Sequence, residues 1–357
     1  MTGIATELQH PLDAVEVLEQ GRKLCEPLLR AVVGTLAAPM DRVASYHFGW
    51  TDSNGRLTDG NGGKMLRPAL ALLSAEAVGA PLEFGSSGGA AVELVHNFSL
   101  IHDDFMDGDR TRRHRATAWT VFGPSVAVLT GDALLARASS LLMAGPGNAR
   151  DRSRAAHRMA RATSRLIDGQ ADDLAFEMRH EVTLEQCVDM VMGKTGSLLG
   201  CAASIGAVLA GADDTTADAL ERYGYHLGVA FQAADDLLGI WGDPQVTGKP
   251  AWGDLRRRKK SLPVCAALAD GGKASRELAA FYSAASAGAE EEGHHVDELA
   301  LARYAYLVEA AGGRAWALAE SRRRSEEAVN ALDRVSMPAG VRRSLQRLVT
   351  FAAERSA

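Results

Sequence analysis

The chain has 357 residues, 46% of them hydrophobic and 24% charged, which is ample for a large core and typical of a globular protein. A formal charge of -6 argues against nucleic acid as the main partner. The four cysteines, Cys25, Cys187, Cys201 and Cys265, show no metal-ligand spacing and fit buried thiols of a reducing compartment, here the cytoplasm.

The pattern is helical nearly throughout. Ala, Leu, Arg and Glu dominate segments of 3.6-residue periodicity, and alternating β-branched strands are absent. No signal peptide is expected in residues 1–11, which lack a basic and an apolar region. Residues 12–38 read as one or two helices, broken at Pro27 or at Pro39. Residues 51–63 (TDSNGRLTDGNGG) read as a polar, Gly-rich loop. Helices are then expected over 67–79, 83–108, 124–143, 151–178, 184–211, 215–241, 254–270, 274–288, 295–311, 313–334 and 338–355. Several are apolar around most of their circumference, as in 90–101 and 198–210, and so belong inside a large helical assembly. No Pro/Ser-rich linker separates domains, so residues 1–357 read as a single all-α domain. No run approaches about 18 consecutive apolar residues, so no transmembrane segment is expected.

The chemistry centres on Leu100-Ile101-His102-Asp103-Asp104-Phe105-Met106-Asp107. On a helix Asp103 and Asp107 stack on one face with Asp104 beside them. Carboxylates that close repel one another unless a cation sits among them. Mg²⁺ is commonly shared between a few carboxylates and substrate phosphates, so the stretch reads as one wall of a Mg²⁺-diphosphate site. A solvated acidic helix end would look similar. A second acidic pair, Asp235-Asp236, ending another apolar helix, favours the metal.

Cations accompany both pairs. Lys64 and Arg67, in Gly62-Gly63-Lys64-Met65-Leu66-Arg67-Pro68, can clamp one phosphate at a helix start. His96 lies seven residues before Asp103, on the same face. Arg112 and Arg113 follow the first acids. Lys194-Thr195 interrupts a helix of small residues between Gly193 and Gly196, and suggests an anion in reach. Gly248-Lys249-Pro250 and Lys259-Lys260 follow the second pair.

Taken together, the two Asp-rich motifs with Gly-Gly-Lys-x-x-Arg upstream resemble the trans-isoprenyl diphosphate synthases (polyprenyl synthetases) of the farnesyl and geranylgeranyl diphosphate synthase type. The likeness runs over about residues 62–263. It implies an all-α isoprenoid-synthase bundle around a central cavity, a homodimer, and three Mg²⁺ ions. By that resemblance Asp103, Asp104, Asp107, Asp235 and Asp236 hold the metal. Arg112, Lys194, Lys249 and Lys259, with Thr195 and Gln232, attend the allylic diphosphate. Lys64, Arg67, His96 and Arg113 take isopentenyl diphosphate. Lys259 is preferred to Lys260 because it stands five residues after Asp254.

The sequence departs from the family pattern at Gly239, where many members carry a third Asp. Weaker metal holding is expected there, with Asp243 as a possible substitute. Ala116 replaces a common Pro, which should only loosen a turn. Product length is expected to follow Phe98 and Ser99, five and four residues before Asp103. A bulky Phe98 would stop the growing tail at intermediate depth, giving C20 first and C15 next. Two rival functions remain: a class I terpene cyclase and a non-catalytic modulating subunit. The chain shows no cyclase-type Asn-x-x-x-Ser/Thr-x-x-x-Glu motif, and its first acidic motif is whole.

Overall fold

The computed structural model describes residues 13–58, 60, 63–243, 252–286 and 297–353. Within them the fold is all-α, as expected. Helix α1 (Ala14–Val33) opens on a capping box: Glu16 N–H donates to Asp13 Oδ1 at 2.8 Å, and Asp13 N–H donates to Glu16 Oε2 at 2.9 Å. Pro27 lies inside α1 without ending it. The break falls after Val33, and Pro39 becomes the N-cap of α2 (Met40–His47).

The chain forms two compact units. The first comprises Met1–Ser164, Leu198–Gly224 and Val329–Leu348, the second Arg165–Ser197, Tyr225–Ala328 and Val349–Ala357. The first contains α1, α2, α3 (Leu66–Ala77), α4 (Ser86–Met106), α5 (Ala118–Phe122) and α6 (Pro124–Met143). Helix α4 is apolar on most sides and accordingly buries Val92, Leu94, Val95, Phe98 and Ile101. Behind it comes a two-stranded ribbon, β1 (Thr111–Arg112) against β2 (Arg115–Ala116). Strands this short leave no periodicity to read. Their turn residues, Arg113 (φ 48°) and His114 (φ 62°), both take the left-handed form that suits a tight two-residue hairpin. Arg158, on α7 (Ala149–Met178), reaches Asp214, Asp218 and Glu221 at the start of α10 (Asp214–Trp241), a network in which Arg158 and Glu221 are enclosed and the two Asp side chains are exposed.

In the second unit, α8 (Leu184–Val191) passes through a five-residue π turn, Met192–Gly196, into α9 (Ser197–Leu209). The π turn explains the interruption at Lys194-Thr195: such bulges recur at functional sites because they redirect side chains. The helix expected over 254–270 is instead two, α11 (Gly253–Arg256) and α12 (Leu262–Ala269). Pro263 occupies the first turn of α12, where a missing N–H costs nothing. Then follow α13 (Lys273–Ser286), α14 (Glu298–Ala310) and α15 (Gly313–Ala331), while most of α16 (Ala339–Ala353) belongs to the first unit. Ile240, Leu255, Val264, Leu278, Leu301 and Val308 form one core of this unit.

Two described stretches, Pro124–Met143 and Leu184–Leu209, reach membrane-crossing length and hydropathy by length and composition alone, which core helices also do. The second is 83% buried, as a core helix is; the first is 33% buried. All four cysteines are buried and unpaired.

Candidate active site

The first unit carries the first acidic motif. Asp103 and Asp104 lie in the last turn of α4, and Asp107 caps its end, its N–H donating to the Asp103 carbonyl at 2.8 Å. Asp104 is almost wholly buried, and Arg112 Nε donates to its Oδ1 at 2.6 Å. The ribbon β1–β2 brings Arg112 back over α4. Burial pushes the Asp104 carboxyl up to about 6 despite Arg112, with Asp109 and Asp103 adding to the rise. Its second oxygen, Oδ2, is buried with no hydrogen-bond partner. An orphaned carboxylate oxygen at an acidic helix end is a fitting place for a cation. Among the described residues no three His, Cys, Asp or Glu side chains converge enough to hold a metal by themselves.

Beside these acids is a cationic nest. Arg67, in the first turn of α3, is lowered by burial, with Arg113 acting the same way and Glu93 opposing. Its Nε is buried without a partner. His96 is held neutral by burial and by the charges of Arg67, Arg113 and Arg112. Gly63 has φ +118°, and a Cβ there would stand 2.9 Å from an Arg113 guanidinium nitrogen. The glycine is thus what lets the arginine lie across the loop. Lys64, next to it, is exposed. The structure brings Arg67, His96, Arg112 and Arg113 into one electrostatic neighbourhood. A cavity of about 230 Å³ lies alongside, lined by Asp104, Arg112, Arg113, Arg115, His47 and Tyr46.

Two residues here escaped sequence reasoning. Glu93 is a buried carboxylate whose charge faces Arg67, Arg113 and Arg22, and Asn97 Nδ2 donates to its Oε1 at 3.2 Å. A lone acid inside the apolar run 90–101 was the available signal. His47 is pushed down to about 3, first by burial and then by Arg112 and Arg113. Nothing local in the sequence marks it, because it reaches the site from α2.

The second unit carries the second motif. Asp235 is half-buried on α10 and Asp236 nearly wholly buried. Asp236 accepts from Gln232 Nε2 at 2.8 Å and from the Leu262 N–H, at the start of α12, at 3.0 Å. Burial raises its carboxyl to about 6, against the pull of Lys259. Thr195 Oγ1 donates to Gln232 Oε1 at 3.0 Å, and Lys194 Nζ to Asp173 Oδ2 at 2.6 Å. Both side chains come from the π turn. Lys259 is largely desolvated, yet Asp236, Asp173 and Asp254 hold its ammonium above the ordinary value. Lys260 turns elsewhere, and its Nζ donates to the Phe176 carbonyl at 2.5 Å. Lys249 lies outside the described residues.

At Gly239 the structure shows a close neighbour. A Cβ there would stand 2.2 Å from Asp254 Oδ2 and 2.6 Å from its Cγ. Asp254, buried in the first turn of α11, lays its carboxylate on the glycine where other members carry an acid. Asp254 is thus the carboxylate that lies against Gly239.

An all-α chain with two acidic helix ends, each attended by arginines or lysines, defines a trans-prenyltransferase. The polyprenyl synthetase family model matches residues 52–299. The (2E,6E)-farnesyl diphosphate synthase of Mycobacterium tuberculosis is 44% identical over 344 residues, 96% of this chain and 93% of that protein. The polyprenyl synthetase of Streptomyces coelicolor A3(2) superposes with a TM-score of 0.90 at 54% identity, covering 95% of this chain and 99% of that one. The geranylgeranyl pyrophosphate synthase of Corynebacterium glutamicum, solved with isoprenyl diphosphate and magnesium, gives 0.80 at 28%, covering 96% and 100%. The chain belongs to the polyprenyl synthetase family.

Proposed function

We propose that this enzyme condenses isopentenyl diphosphate with an allylic diphosphate to give a linear trans-prenyl diphosphate, geranylgeranyl diphosphate in the first place and farnesyl diphosphate next. The observation that carries the reading is Asp104, paired to Arg112 through one oxygen with its other oxygen buried and unpartnered, beside the Arg67–His96–Arg113 nest. Relatives named for both C15 and C20 products support the class without choosing between them.

Asp103, Asp104, Asp107, Asp235 and Asp236 would hold Mg²⁺, three ions by family resemblance. When bound, Mg²⁺ neutralises the diphosphate and makes it a better leaving group. Arg112, Lys194, Lys249 and Lys259, with Thr195 and Gln232, bind the allylic diphosphate and stabilise the charge that grows on it as the C–O bond breaks. Lys64, Arg67, His96 and Arg113 orient isopentenyl diphosphate so that its double bond attacks the allylic carbon. Loss of a proton to the departing pyrophosphate ends the cycle, and no side-chain nucleophile is needed. Phe98 would stop the tail, with Ser99 leaving room nearer Asp103.

The enzyme works as a homodimer in this reading. Helix α6 leaves Leu129 57% and Met143 47% exposed on a face whose other exposed positions include Ser125, Asp132, Ala136 and Ser139. Such a face suits a second copy better than water. A cytoplasmic location is supported by the four unpaired thiols.

The test is product analysis with Mg²⁺ and dimethylallyl, geranyl or farnesyl diphosphate, with and without isopentenyl diphosphate. Linear prenyl diphosphates formed only with isopentenyl diphosphate are expected, and Asp103→Ala and Asp235→Ala should each lose most turnover. Hydrocarbons or alcohols formed without it would mean a cyclase. No product at all would favour a modulating subunit.

A further inference from the structure

We propose that His102, seated on Gly131, sets product length by bracing Phe98. The inference rests on the reading of Phe98 as the tail stop and adds the two residues that fix where that stop stands.

Phe98 and His102 are one turn apart on α4 and share a face. Their rings meet edge to face, with centroids 4.8 Å apart and planes at 73°. Phe98 is 7% exposed, so its ring has few positions open to it. His102 is itself pinned from the far side. Its Nε2 lies 2.9 Å from the Val128 carbonyl on α6, so that nitrogen carries the proton and donates. The same nitrogen stands 3.8 Å from Asp132 Oδ1.

The seat is Gly131. A Cβ at that position would lie 2.3 Å from His102 Nε2 and 2.5 Å from Cδ2, closer than atoms can stand. Only glycine lets the Nε2 edge of the imidazole come this close to α6 and reach Val128. The order of contact is therefore α6 backbone, His102 ring, Phe98 ring. Neither His102 nor Gly131 is needed for the chemistry in the proposed mechanism, so their effect should be read in product size.

The geometry gives opposite signs for the two substitutions. His102→Ala opens a hole between α4 and α6 into which the Phe98 ring can retreat, and cores relax toward such holes. The tail then runs further. Gly131→Ala drives the imidazole off α6 toward Phe98, which is pushed the other way, and the tail stops sooner. In the double variant the new methyl sits in the space the imidazole left.

The experiment measures the chain-length distribution of products from geranyl and farnesyl diphosphate with isopentenyl diphosphate. The parent is compared with Phe98→Ala, His102→Ala, Gly131→Ala and the two double variants His102→Ala/Gly131→Ala and Phe98→Ala/His102→Ala. We expect Phe98→Ala and His102→Ala to lengthen the main product by at least one five-carbon unit, and Gly131→Ala to shorten it. The double variant with Gly131→Ala should return toward the parent. His102→Ala should add nothing once Phe98 is gone, because contacting residues are not additive. A Phe98→Ala effect with His102→Ala and Gly131→Ala both leaving the distribution unchanged would overturn the inference. A distribution indifferent to Phe98→Ala would remove the tail-stop reading instead, and the inference with it. Either single variant suffices if the other folds poorly.

Discussion

Restoring the family's third acid by Gly239→Asp looks like an improvement on paper and should be a defect in this chain. A Cβ at 239 would stand 2.2, 2.6 and 3.0 Å from Asp254 Oδ2, Cγ and Oδ1. Asp254 is buried, so it cannot simply swing into solvent. Ordinary contact needs a shift of about 1 Å, and forced overpacking of this kind costs about 1–3 kcal/mol. A second carboxylate then faces the first: two charges about 4 Å apart repel by up to about 4 kcal/mol at an effective dielectric constant of about 20. Lys259 and added protonation relieve part of this, leaving roughly 3–5 kcal/mol in all. At about 1–2 °C per kcal/mol for a chain of this length, the midpoint should fall by roughly 3–10 °C. The assay is thermal unfolding of the parent, Gly239→Ala, Gly239→Asp and Gly239→Asp/Asp254→Ala, with turnover measured against Mg²⁺ for each. Gly239→Ala isolates the steric part, and the double variant should recover most of the loss. If Gly239→Asp alone were as stable as the parent and needed less Mg²⁺, the account of Asp254 would be wrong.

Gly63→Ala should raise the KM for isopentenyl diphosphate about tenfold or more, since displacing Arg113 removes a charge-assisted contact of about 1.5–3 kcal/mol, with the allylic KM little changed; equal shifts in both would sink the assignment of Arg113. Burial pushes Glu76 up to about 7 from 4.5. The native chain thus holds this proton more tightly than the unfolded one, and the contribution of this side chain to stability should be fully present below about pH 4.5 and be lost by about pH 7. Because the side chain is only half-buried, the loss is trimmed by solvent to about 1 kcal/mol. Glu76→Gln should accordingly raise the unfolding midpoint at pH 8 and leave it unmoved near pH 4.5, and a gain of equal size at both pH values would contradict that cause. Changing Leu129 on α6 to Lys should shift sedimentation toward the monomer if that face carries the dimer.

How much was legible in the sequence depends on range. Helices α4, α6 and α10 were readable because their apolar periodicity persists for many turns. The acidic motifs were readable because their spacing is local. The β1–β2 ribbon was not, since two-residue strands have no pattern, and it is the element that carries Arg112 to Asp104. The split between α11 and α12 was hidden for the same reason: Arg256–Ser261 is compatible with a helix until tertiary contacts override it. Glu93 and His47 needed three dimensions. Gly239 shows the limit most clearly: read alone it is a missing acid, while the fold makes it the space that Asp254 fills.

The two acidic pairs share a division of labour that the sequence cannot display. In each, the second Asp is almost wholly buried and already engaged: Asp104 by Arg112, Asp236 by Gln232 and the Leu262 N–H. In each, the first Asp is only half-buried. A carboxylate used to orient a helix end should be enclosed and hydrogen-bonded, because burial without partners is costly. One that exchanges water for a metal and a diphosphate must stay within reach of solvent. The second acid of each pair is therefore held in place by these partners, Asp104 keeping its Oδ2 without a hydrogen-bond partner, and the first lies nearer the solvent. Burial also raises both enclosed carboxyls to about 6, well above where an exposed Asp releases its proton. A cation arriving at the site would oppose that rise, so metal binding and the charging of the enclosed acids should reinforce each other.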